Sequence, residues 1–246
     1  MKLPYPPTEA RDFIQIAEHI LEFNNYFKDK DFDDRYYSQF EWFRGELNCT
    51  DKILSLGCGN GRETFALMWA MKAKETMGVD IDCEKIEHAM KRAQEIKEFA
   101  KIIRKALADI HSDQLQEWRD CIPTGLLEYI VPQFFQGDVS DNLLESISCP
   151  DGYFDLVYFR NVLYFMADES KAKLYLALQN IVLAVKPETG CVVVVEPTVR
   201  GSILYDFRTD FKQAGLILVK EPPESLDHLG CLEMPETNPM GYILKR

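Results

Sequence analysis

The stretch LSLGCGNGRETFAL, residues 54–67, decides the fold that the sequence predicts. Gly57, Gly59 and Gly61 fall between an apolar run and a segment with helical spacing. Glycine loses more conformational freedom on folding than other residues, so such a cluster needs a use. Three uses fit this place in the chain: a tight turn from strand to helix, a cradle for phosphate, or close approach of the backbone to a small ligand.

Strand-like and helix-like segments alternate on the carboxyl-terminal side of this turn. The predicted strands are 52–57, 76–81, 133–139, 154–159, 191–197, 216–221 and 240–245, and the predicted helices are 8–27, 62–74, 83–110, 168–185 and 201–214. Apolar strands separated by helices are typical of an α/β fold, a doubly wound parallel sheet covered on both faces. A short polar segment without a helix joins the last two strands, so we expect the last strand to be antiparallel.

The length of 246 residues suits one large domain or two small ones. We expect residues 51–246 to form the α/β domain and residues 1–50 to form an N-terminal helical and aromatic cap segment. The stretch at about 91–132 is longer than one crossover helix requires. We interpret it as a helical insertion within the domain.

The composition excludes several classes of protein. A net charge of −12 disfavours a long nucleic acid as partner, because a phosphate backbone prefers a basic surface. The cysteine count is odd, seven, and no C-x-x-C occurs, so neither a disulfide framework nor a metal site is expected. The N-terminus lacks the apolar stretch of a signal peptide, and no run approaches the roughly 20 apolar residues of a membrane helix. We therefore expect a cytoplasmic protein with no membrane partner.

The spacing of the glycines narrows the choice of ligand. Arg62 stands where the dinucleotide fingerprint G-x-G-x-x-G has its third glycine, and no G-K-[ST] follows as a phosphate loop requires. Asp80 ends the second predicted strand, 19 residues after Gly61, where a carboxylate can accept hydrogen bonds from both ribose hydroxyls. Asp138, near the end of the third, can accept from an adenine amino group. A nucleoside without phosphate fits this set, and Glu63 in the first helical turn favours a cationic or zwitterionic one such as S-adenosylmethionine.

Several motifs together resemble the class I S-adenosylmethionine-dependent methyltransferases. ILSLGCGNG resembles the superfamily's first motif, MGVDID its second, FFQGDV its adenine-contact motif, and FDLVYFRNVLYF its fourth strand with the turn after it. LILVKE and MGYILK resemble its sixth strand and its antiparallel seventh. The resemblance covers the chain from about 52 to 246 and implies a Rossmann-like seven-stranded sheet with helices on both faces. It implies cofactor contacts by Gly57, Cys58, Gly59, Gly61, Glu63, Asp80, Ile81, Asp138, Val139 and Asn161.

A narrower resemblance is to the chemotaxis-receptor glutamate O-methyltransferases. Those enzymes carry a glutamate at the place of Glu63 and an Arg-Asn-Val turn like the one that begins at Arg160. Two features depart from them: Phe165 occupies the place of a tyrosine near the methyl group, with Tyr164 one residue early, and residues 1–50 do not resemble the family's basic helical N-terminal domain. We therefore expect a methyltransferase for a small molecule or a protein side chain, with a carboxylate oxygen among the candidate acceptors. Arg160 and Tyr164 are the candidate catalytic residues.

Two other functions stay open on the residues alone: a nicotinamide-dependent oxidoreductase on a related sheet, and a non-catalytic cofactor-binding protein. Arg62 in place of a fingerprint glycine counts against the first, and the undamaged cofactor motif counts against the second. Asp82 is the next candidate for the ribose contact. In the cap segment, the aromatic residues Tyr36, Tyr37, Trp42 and Phe43 are candidates to lie over the cofactor, as similar stretches do in the superfamily.

Overall fold

The alternating segments build one seven-stranded sheet. The structure, a computed structural model, describes Phe43, Leu47 and residues 50–108, 131–199, 207–220 and 237–246. In chain order the described elements are β1 (Lys52–Leu56), α1 (Arg62–Met71), β2 (Glu75–Asp80), α2 (Cys83–Ala108), β3 (Gln133–Gln136), α3 (Leu143–Ser146), β4 (Leu156–Arg160), α4 (Leu163–Glu169), α5 (Lys171–Ala184), β5 (Cys191–Val199), α6 (Arg208–Gln213), β6 (Ile217–Lys220) and β7 (Thr237–Lys245).

The strands lie in the order β3–β2–β1–β4–β5–β7–β6. β1 pairs in parallel with β2 and β4, β2 with β3, and β4 with β5, whereas β7 pairs antiparallel with both β5 and β6. The chain winds from β1 toward β3 in one direction and from β4 toward β5 in the other. Right-handed crossovers then put α1 and α2 on one face of the sheet and α5 on the opposite face. The predicted doubly wound sheet, mostly parallel with an antiparallel last strand, is confirmed.

The central strands are buried on both faces. Successive side chains of a strand point to opposite faces of its sheet, yet Ile53 and Leu54 of β1 and Val157 and Tyr158 of β4 are all at most 1% exposed. Such strands read as continuous apolar runs, which is why their pattern predicts a sheet covered by helices. The polar residues that follow these runs are thereby collected at the ends of the strands.

The segment after β4 differs from the prediction. The sequence predicts one helix over 168–185, but the structure has two, α4 and α5, separated by Ser170. Ser170 has an extended backbone, and its Oγ accepts a hydrogen bond from the Lys173 N–H at 3.1 Å, so it acts as the N-cap of α5. α4 takes up residues that the sequence assigned to the turn after the fourth strand, which places Tyr164 on a helix. The short helix α3 was not predicted.

The predicted domain boundaries stay predictions. Residues 83–108 form one continuous helix across the start of the predicted insertion, and residues 109–130 lie outside the described part of the chain. The predicted helix 8–27 and most of the cap segment lie outside it too. Phe43 is described, and it is helical and fully buried. Among the described helices, none is both long and apolar enough to cross a membrane.

Candidate functional site

The glycine turn lies between β1 and α1, beside the point where the order of the strands reverses between β1 and β4. In doubly wound sheets, ligands bind at this switch point, outside the carboxyl ends of the strands. Gly57, Gly59 and Gly61 all have left-handed φ values, of 63°, 52° and 82°. A Cβ on Gly57 would lie 2.3 Å from Val162 Cγ2, and one on Gly61 would lie 2.7 Å from Phe134 Cζ. The turn thus needs its glycines both for their backbone conformation and for close packing.

The residues of the glycine turn differ in how exposed they are to solvent. Gly57 is exposed at the sheet edge, whereas Cys58 and Gly61 are buried. The Cys58 N–H donates to the Val79 carbonyl at 3.1 Å, which ties the turn to β2. Burial, with a smaller effect from the charge of Asp80, raises the pKa of the Cys58 thiol. Of these three residues, Gly57 therefore offers the most surface to a ligand over the turn.

Asp80 joins the glycine turn to the turn after β2. Its buried carboxylate accepts a hydrogen bond from the Gly59 N–H at 2.7 Å and one from the Asp82 N–H at 2.9 Å. A carboxylate offers about four lone-pair sites, so two backbone donors leave it the capacity to accept from hydroxyl groups. The next residue, Ile81, has a largely exposed side chain at the same edge.

Asp82, the alternative ribose candidate, is engaged elsewhere. Its Oδ1 accepts from the Lys85 N–H at 3.2 Å in the first turn of α2, and its Oδ2 lies 3.4 Å from the Lys85 ammonium. The backbone hydrogen bond from Lys85 is the main cause that lowers the pKa of Asp82. The geometry is that of a helix cap.

Asp138 lies in the turn after β3, two residues beyond the end of the strand. Its Oδ1 accepts from the N–H and the hydroxyl of Ser140 at 2.8 and 2.7 Å, and its Oδ2 lies 3.2 Å from Lys173 Nζ. Burial disfavours the charged carboxylate, but the bonds from Ser140 and Lys173 outweigh burial and lower the pKa of Asp138. The side chain of Val139 is buried in the core. An adenine amino group would therefore share Asp138 with two protein partners.

A charged cluster joins α1 to β4. The Glu63 carboxylate accepts a short hydrogen bond from the Tyr158 hydroxyl and lies 3.6 Å from Arg160 Nη1. Residues two apart on a strand share one face, which is how Tyr158 and Arg160 both reach Glu63. Burial raises the pKa of Glu63, while the Arg160 charge and the Tyr158 hydrogen bond oppose that shift. Glu63 and Arg160 both keep 19% of their side-chain surface exposed, so both stay partly accessible at the carboxyl end of the parallel strands.

Phe43 links the cap segment to this cluster. Its ring lies 5.9 Å from the Tyr158 ring, centroid to centroid, and it is fully buried. The other aromatic candidates of the cap, Tyr36, Tyr37 and Trp42, lie outside the described residues.

The turn after β4 carries the remaining candidates. Asn161 has a left-handed φ of 55°, and its N–H donates to the Val195 carbonyl at 2.9 Å. Tyr164 and Phe165 follow on α4, where their rings lie 5.9 Å apart and are 39% and 61% exposed. The side chain of Glu196, from β5, accepts hydrogen bonds from the backbone of this turn. The predicted residues that follow β1, β2 and β4 thus lie together at the carboxyl ends of these strands.

Sequence reasoning missed Tyr158 and Glu196. Both lie in apolar strands, and a feature of the sequence could have revealed each of them. Tyr158 is two residues before Arg160 and hence on its face, and Glu196 is a charge directly after four valines, 192–195, of a buried strand. Within the described residues, no group of acidic, histidine and cysteine side chains has the arrangement of a metal site.

A comparison with protein families identifies the family of the chain. The family model described as "CheR methyltransferase, SAM binding domain" matches residues 44–194. No curated protein matches the chain at a significant level.

Solved structures share the fold at low sequence identity. A TehB-like SAM-dependent methyltransferase from Corynebacterium glutamicum is 16% identical, with 95% of this chain and 98% of that one covered and a TM-score of 0.54. A SAM-dependent methyltransferase from Leishmania major is also 16% identical, with 95% and 83% covered and a TM-score of 0.55. One from Clostridium acetobutylicum is 13% identical, with 93% and 98% covered and a TM-score of 0.54.

The family match decides between the cofactors that the glycine motif left open. It selects S-adenosylmethionine over a nicotinamide dinucleotide, and the acceptor capacity that its two backbone bonds leave on Asp80 fits the ribose hydroxyls of such a cofactor. The chain belongs to the CheR methyltransferase family through this SAM-binding domain, and it is an S-adenosylmethionine-dependent methyltransferase.

Proposed function

We propose that the enzyme methylates a carboxylate oxygen, on a small molecule or a protein side chain, and that the acceptor lies beside Arg160 and Tyr164. The position of Arg160 carries this proposal. Its guanidinium lies at the carboxyl end of β4, where it is partly exposed and lies beside Glu63. Guanidinium groups bind carboxylates well because their N–H donors form a planar fork.

The cofactor side of the proposed site consists of the glycine turn and the carboxylates around it. Asp80 accepts from the ribose hydroxyls, and Glu63 faces the positively charged methionine part of the cofactor. Backbone atoms of the turn supply further contacts, and Ile81 offers an exposed apolar surface to the adenine. The residues proposed to hold the cofactor are Gly57, Cys58, Gly59, Gly61, Glu63, Asp80, Ile81, Asp138, Val139 and Asn161.

When bound, S-adenosylmethionine supplies an electrophilic methyl group: an oxygen lone pair of the acceptor forms the new C–O bond as the S–C bond breaks and its electrons return to sulfur. An ionised carboxylate needs no base to attack. The chain's task is then to hold the acceptor oxygen in line and close to the methyl group. Arg160 and Tyr164 are proposed to do this.

The charge and the thiols support two further parts of the proposal. A net charge of −12 argues against a nucleic acid as the acceptor. Among the described cysteines, Cys58, Cys83, Cys149 and Cys191 are all free thiols, which favours a reducing compartment such as the cytoplasm.

The alkali lability of the product tests the acceptor atom. The enzyme is incubated with tritiated S-adenosylmethionine and a panel of carboxylate, amine and phenol acceptors, including proteins rich in glutamate. We expect a label that mild alkali releases as volatile methanol, because methyl esters hydrolyse where N-methyl and aryl ether groups do not. An alkali-stable label would contradict a carboxylate acceptor and would leave the methyltransferase assignment intact.

The role of Arg160 has its own test. Arg160→Lys keeps the charge but loses the planar fork. We expect ester formation to fall at least tenfold while S-adenosylhomocysteine affinity, measured by calorimetry, stays within about threefold. Arg208→Lys, at an exposed position on α6, is the matched control and should change neither quantity. Parallel losses of cofactor affinity and transfer in Arg160→Lys would assign the guanidinium to the cofactor side.

A further inference from the structure

Glu196 is a buried carboxylate that takes no direct part in the proposed methyl transfer. It lies on β5, one residue after Val195, which pairs with Arg160 at the end of β4. Only 2% of its surface is exposed. Carboxylates are almost never fully buried unless they are paired, so this one needs a reason.

Both carboxylate oxygens of Glu196 bind the backbone that follows β4. Oε1 accepts from the N–H groups of Val162 and Leu163, each at 2.9 Å, and Oε2 accepts from the N–H of Tyr164 at 3.2 Å. These are the first donors of α4, whose own N-cap residue makes no side-chain capping bond. Glu196 therefore ties β5 to the start of α4 from a distant part of the sequence.

The segment that Glu196 holds separates the two sides of the proposed site. On one side, Val162 packs so closely against the glycine turn that Gly57 has no room for a Cβ. On the other side are Arg160 and Tyr164, the proposed acceptor residues. A shift of this segment changes the distance between the glycine turn and the acceptor residues, and methyl transfer depends steeply on that distance.

The surroundings of Glu196 make its charge sensitive to pH. Burial raises the pKa of Glu196 to about 7, and the three backbone hydrogen bonds only partly offset burial. Within the described residues, no cationic side chain forms an ion pair with it. Its neighbour on β7, Met240, does not titrate. The titratable groups on the other elements packed against it are Tyr158 and Arg160 of β4 and Tyr164, Asp168 and Glu169 of α4.

We propose that Glu196 is a positioning residue for methyl transfer: its ionised carboxylate fixes the segment 160–164 against the glycine turn and so sets the spacing between cofactor and acceptor. The proposal rests on the proposed place of Arg160 and Tyr164 beside the acceptor. It does not depend on which atom of the acceptor is methylated. Protonation removes one acceptor lone pair and the charge that strengthens all three hydrogen bonds, so the segment loosens as the pH falls.

Hydrogen exchange tests the contact without any acceptor. In the full-length protein, the amides of Val162, Leu163 and Tyr164 should be strongly protected at pH 8. At pH 5.5 their protection, corrected for the intrinsic effect of pH, should fall at least threefold. The amides of Val193 and Val194 in the core of β5 serve as the internal reference. Equal protection of the three amides at both pH values would overturn the proposal.

Kinetics of Glu196→Gln test the consequence. The amide presents an N–H group to at least one of the three backbone donors, so one hydrogen bond is replaced by a repulsive contact. We expect kcat to fall at least tenfold, with the KM for S-adenosylmethionine and the affinity for S-adenosylhomocysteine within about twofold. In the wild type kcat should decrease as the pH falls through about 7, and this decrease should be absent in Glu196→Gln. These kinetics use whichever acceptor the labelling experiment identifies, so a failed ester prediction leaves them interpretable.

Glu188→Gln is the matched control, because Glu188 is an exposed glutamate just before the opposite end of β5. It should behave as the wild type does. A merely structural Glu196 would lose stability, cofactor affinity and kcat together on substitution, and a pH profile unchanged in Glu196→Gln would also contradict the proposal. If Glu196→Gln fails to fold, hydrogen exchange on the wild type still decides.

Discussion

Buried carboxylates lie at both ends of the parallel strands, and they take different partners at each end. At the amino end, Asp155 accepts from the Lys52 N–H at 2.9 Å and forms a short ion pair with the Lys186 ammonium. Nearby, the Tyr153 hydroxyl donates to Glu75 at 2.8 Å, and the Lys52 ammonium lies 3.6 Å from the centre of the Tyr153 ring. At this end, Asp155 thus meets an oppositely charged group, Lys52 an aromatic ring and Glu75 a phenol hydroxyl.

At the carboxyl end, backbone N–H groups replace side-chain cations as the main partners. Asp80 binds two of them, and Glu196 binds three. Glu63 has Arg160 at 3.6 Å, yet burial still raises its pKa. Asp80 and Glu196 thus fix loops to one another, whereas Glu63 keeps a cationic neighbour.

The difference separates stability from function within one sheet. A buried ion pair such as that of Asp155 contributes to folding and offers no binding capacity to a ligand. Carboxylates that hold loops at the switch point keep acceptor capacity and respond to a charged ligand. Matched substitutions at the two ends should therefore differ in one respect: only those at the carboxyl end should weaken cofactor binding.

The largest effect is expected for Gly57→Ala. The added methyl group would lie 2.3 Å from Val162 Cγ2, and alanine would have to adopt a φ of 63°. We expect a loss of about 2–5 kcal/mol in the free energy of unfolding, from overpacking and a left-handed residue together. Affinity for S-adenosylhomocysteine should fall at least tenfold as well. Urea denaturation and calorimetry measure the two quantities.

Gly215→Ala is the control for backbone strain alone. Gly215 lies before β6, has a φ of 86°, and has nothing within 4 Å of the place of a Cβ. It should lose about 1–2 kcal/mol of stability and no cofactor affinity. Equal stability losses in the two variants would show that the contact with Val162 contributes nothing.

An intermediate effect is expected from the pair Asp80→Asn and Asp155→Asn. Asp80→Asn should weaken S-adenosylhomocysteine binding at least tenfold, because charged hydrogen bonds are worth about 1.5–3 kcal/mol. It should also lose some stability, because the amide N–H of asparagine would face one of the two backbone donors. Asp155→Asn should lose about 1–3 kcal/mol of stability, since it leaves Lys186 without its ion pair, while cofactor affinity stays within about twofold. Binding that survives in Asp80→Asn would place the ribose contact elsewhere.

The smallest effect is expected for Thr76→Val on β2. Thr76 is buried, and its Oγ1 has no hydrogen-bond partner in the described part of the chain. Replacing the hydroxyl with a methyl group of similar shape should raise the free energy of unfolding by about 1 kcal/mol. Cofactor affinity should not change. A destabilised variant would indicate that the hydroxyl is satisfied in solution.

The sheet, and the residues at the carboxyl ends of its parallel strands, were predictable because both follow from local sequence patterns. Apolar runs such as 191–195 require burial on two faces, and the glycine spacing at 57, 59 and 61 marks a turn at a strand end. The break at Ser170 was missed because helical periodicity runs through it. Its signal, a capping serine before the lysines of α5, is weaker than the apolar pattern around it.

The partners of the site residues were not predictable in the same way. That Glu63 lies beside Arg160, 97 positions later in the chain, depends on the relative placement of α1 and β4, which no local pattern encodes. Asp138 was predicted as an adenine acceptor from its place after β3, but its ion pair with Lys173 depends on the packing of α5, and only its bonds to Ser140 are local. The roles of these residues toward cofactor and acceptor stay predictions.

The order β5–β7–β6 also constrains the synthesis of the chain on the ribosome. β6 pairs with β7 within the described sheet, and β7 leaves the ribosome after β6. Until Thr237–Lys245 has emerged and paired, Ile217, Leu218 and Val219 lie on a segment with no partner strand, and these side chains remain substantially exposed even in the finished sheet. Unpaired apolar strands readily associate with other chains. The pairing of Thr237–Lys245 is thus the folding step that gives this strand its partner.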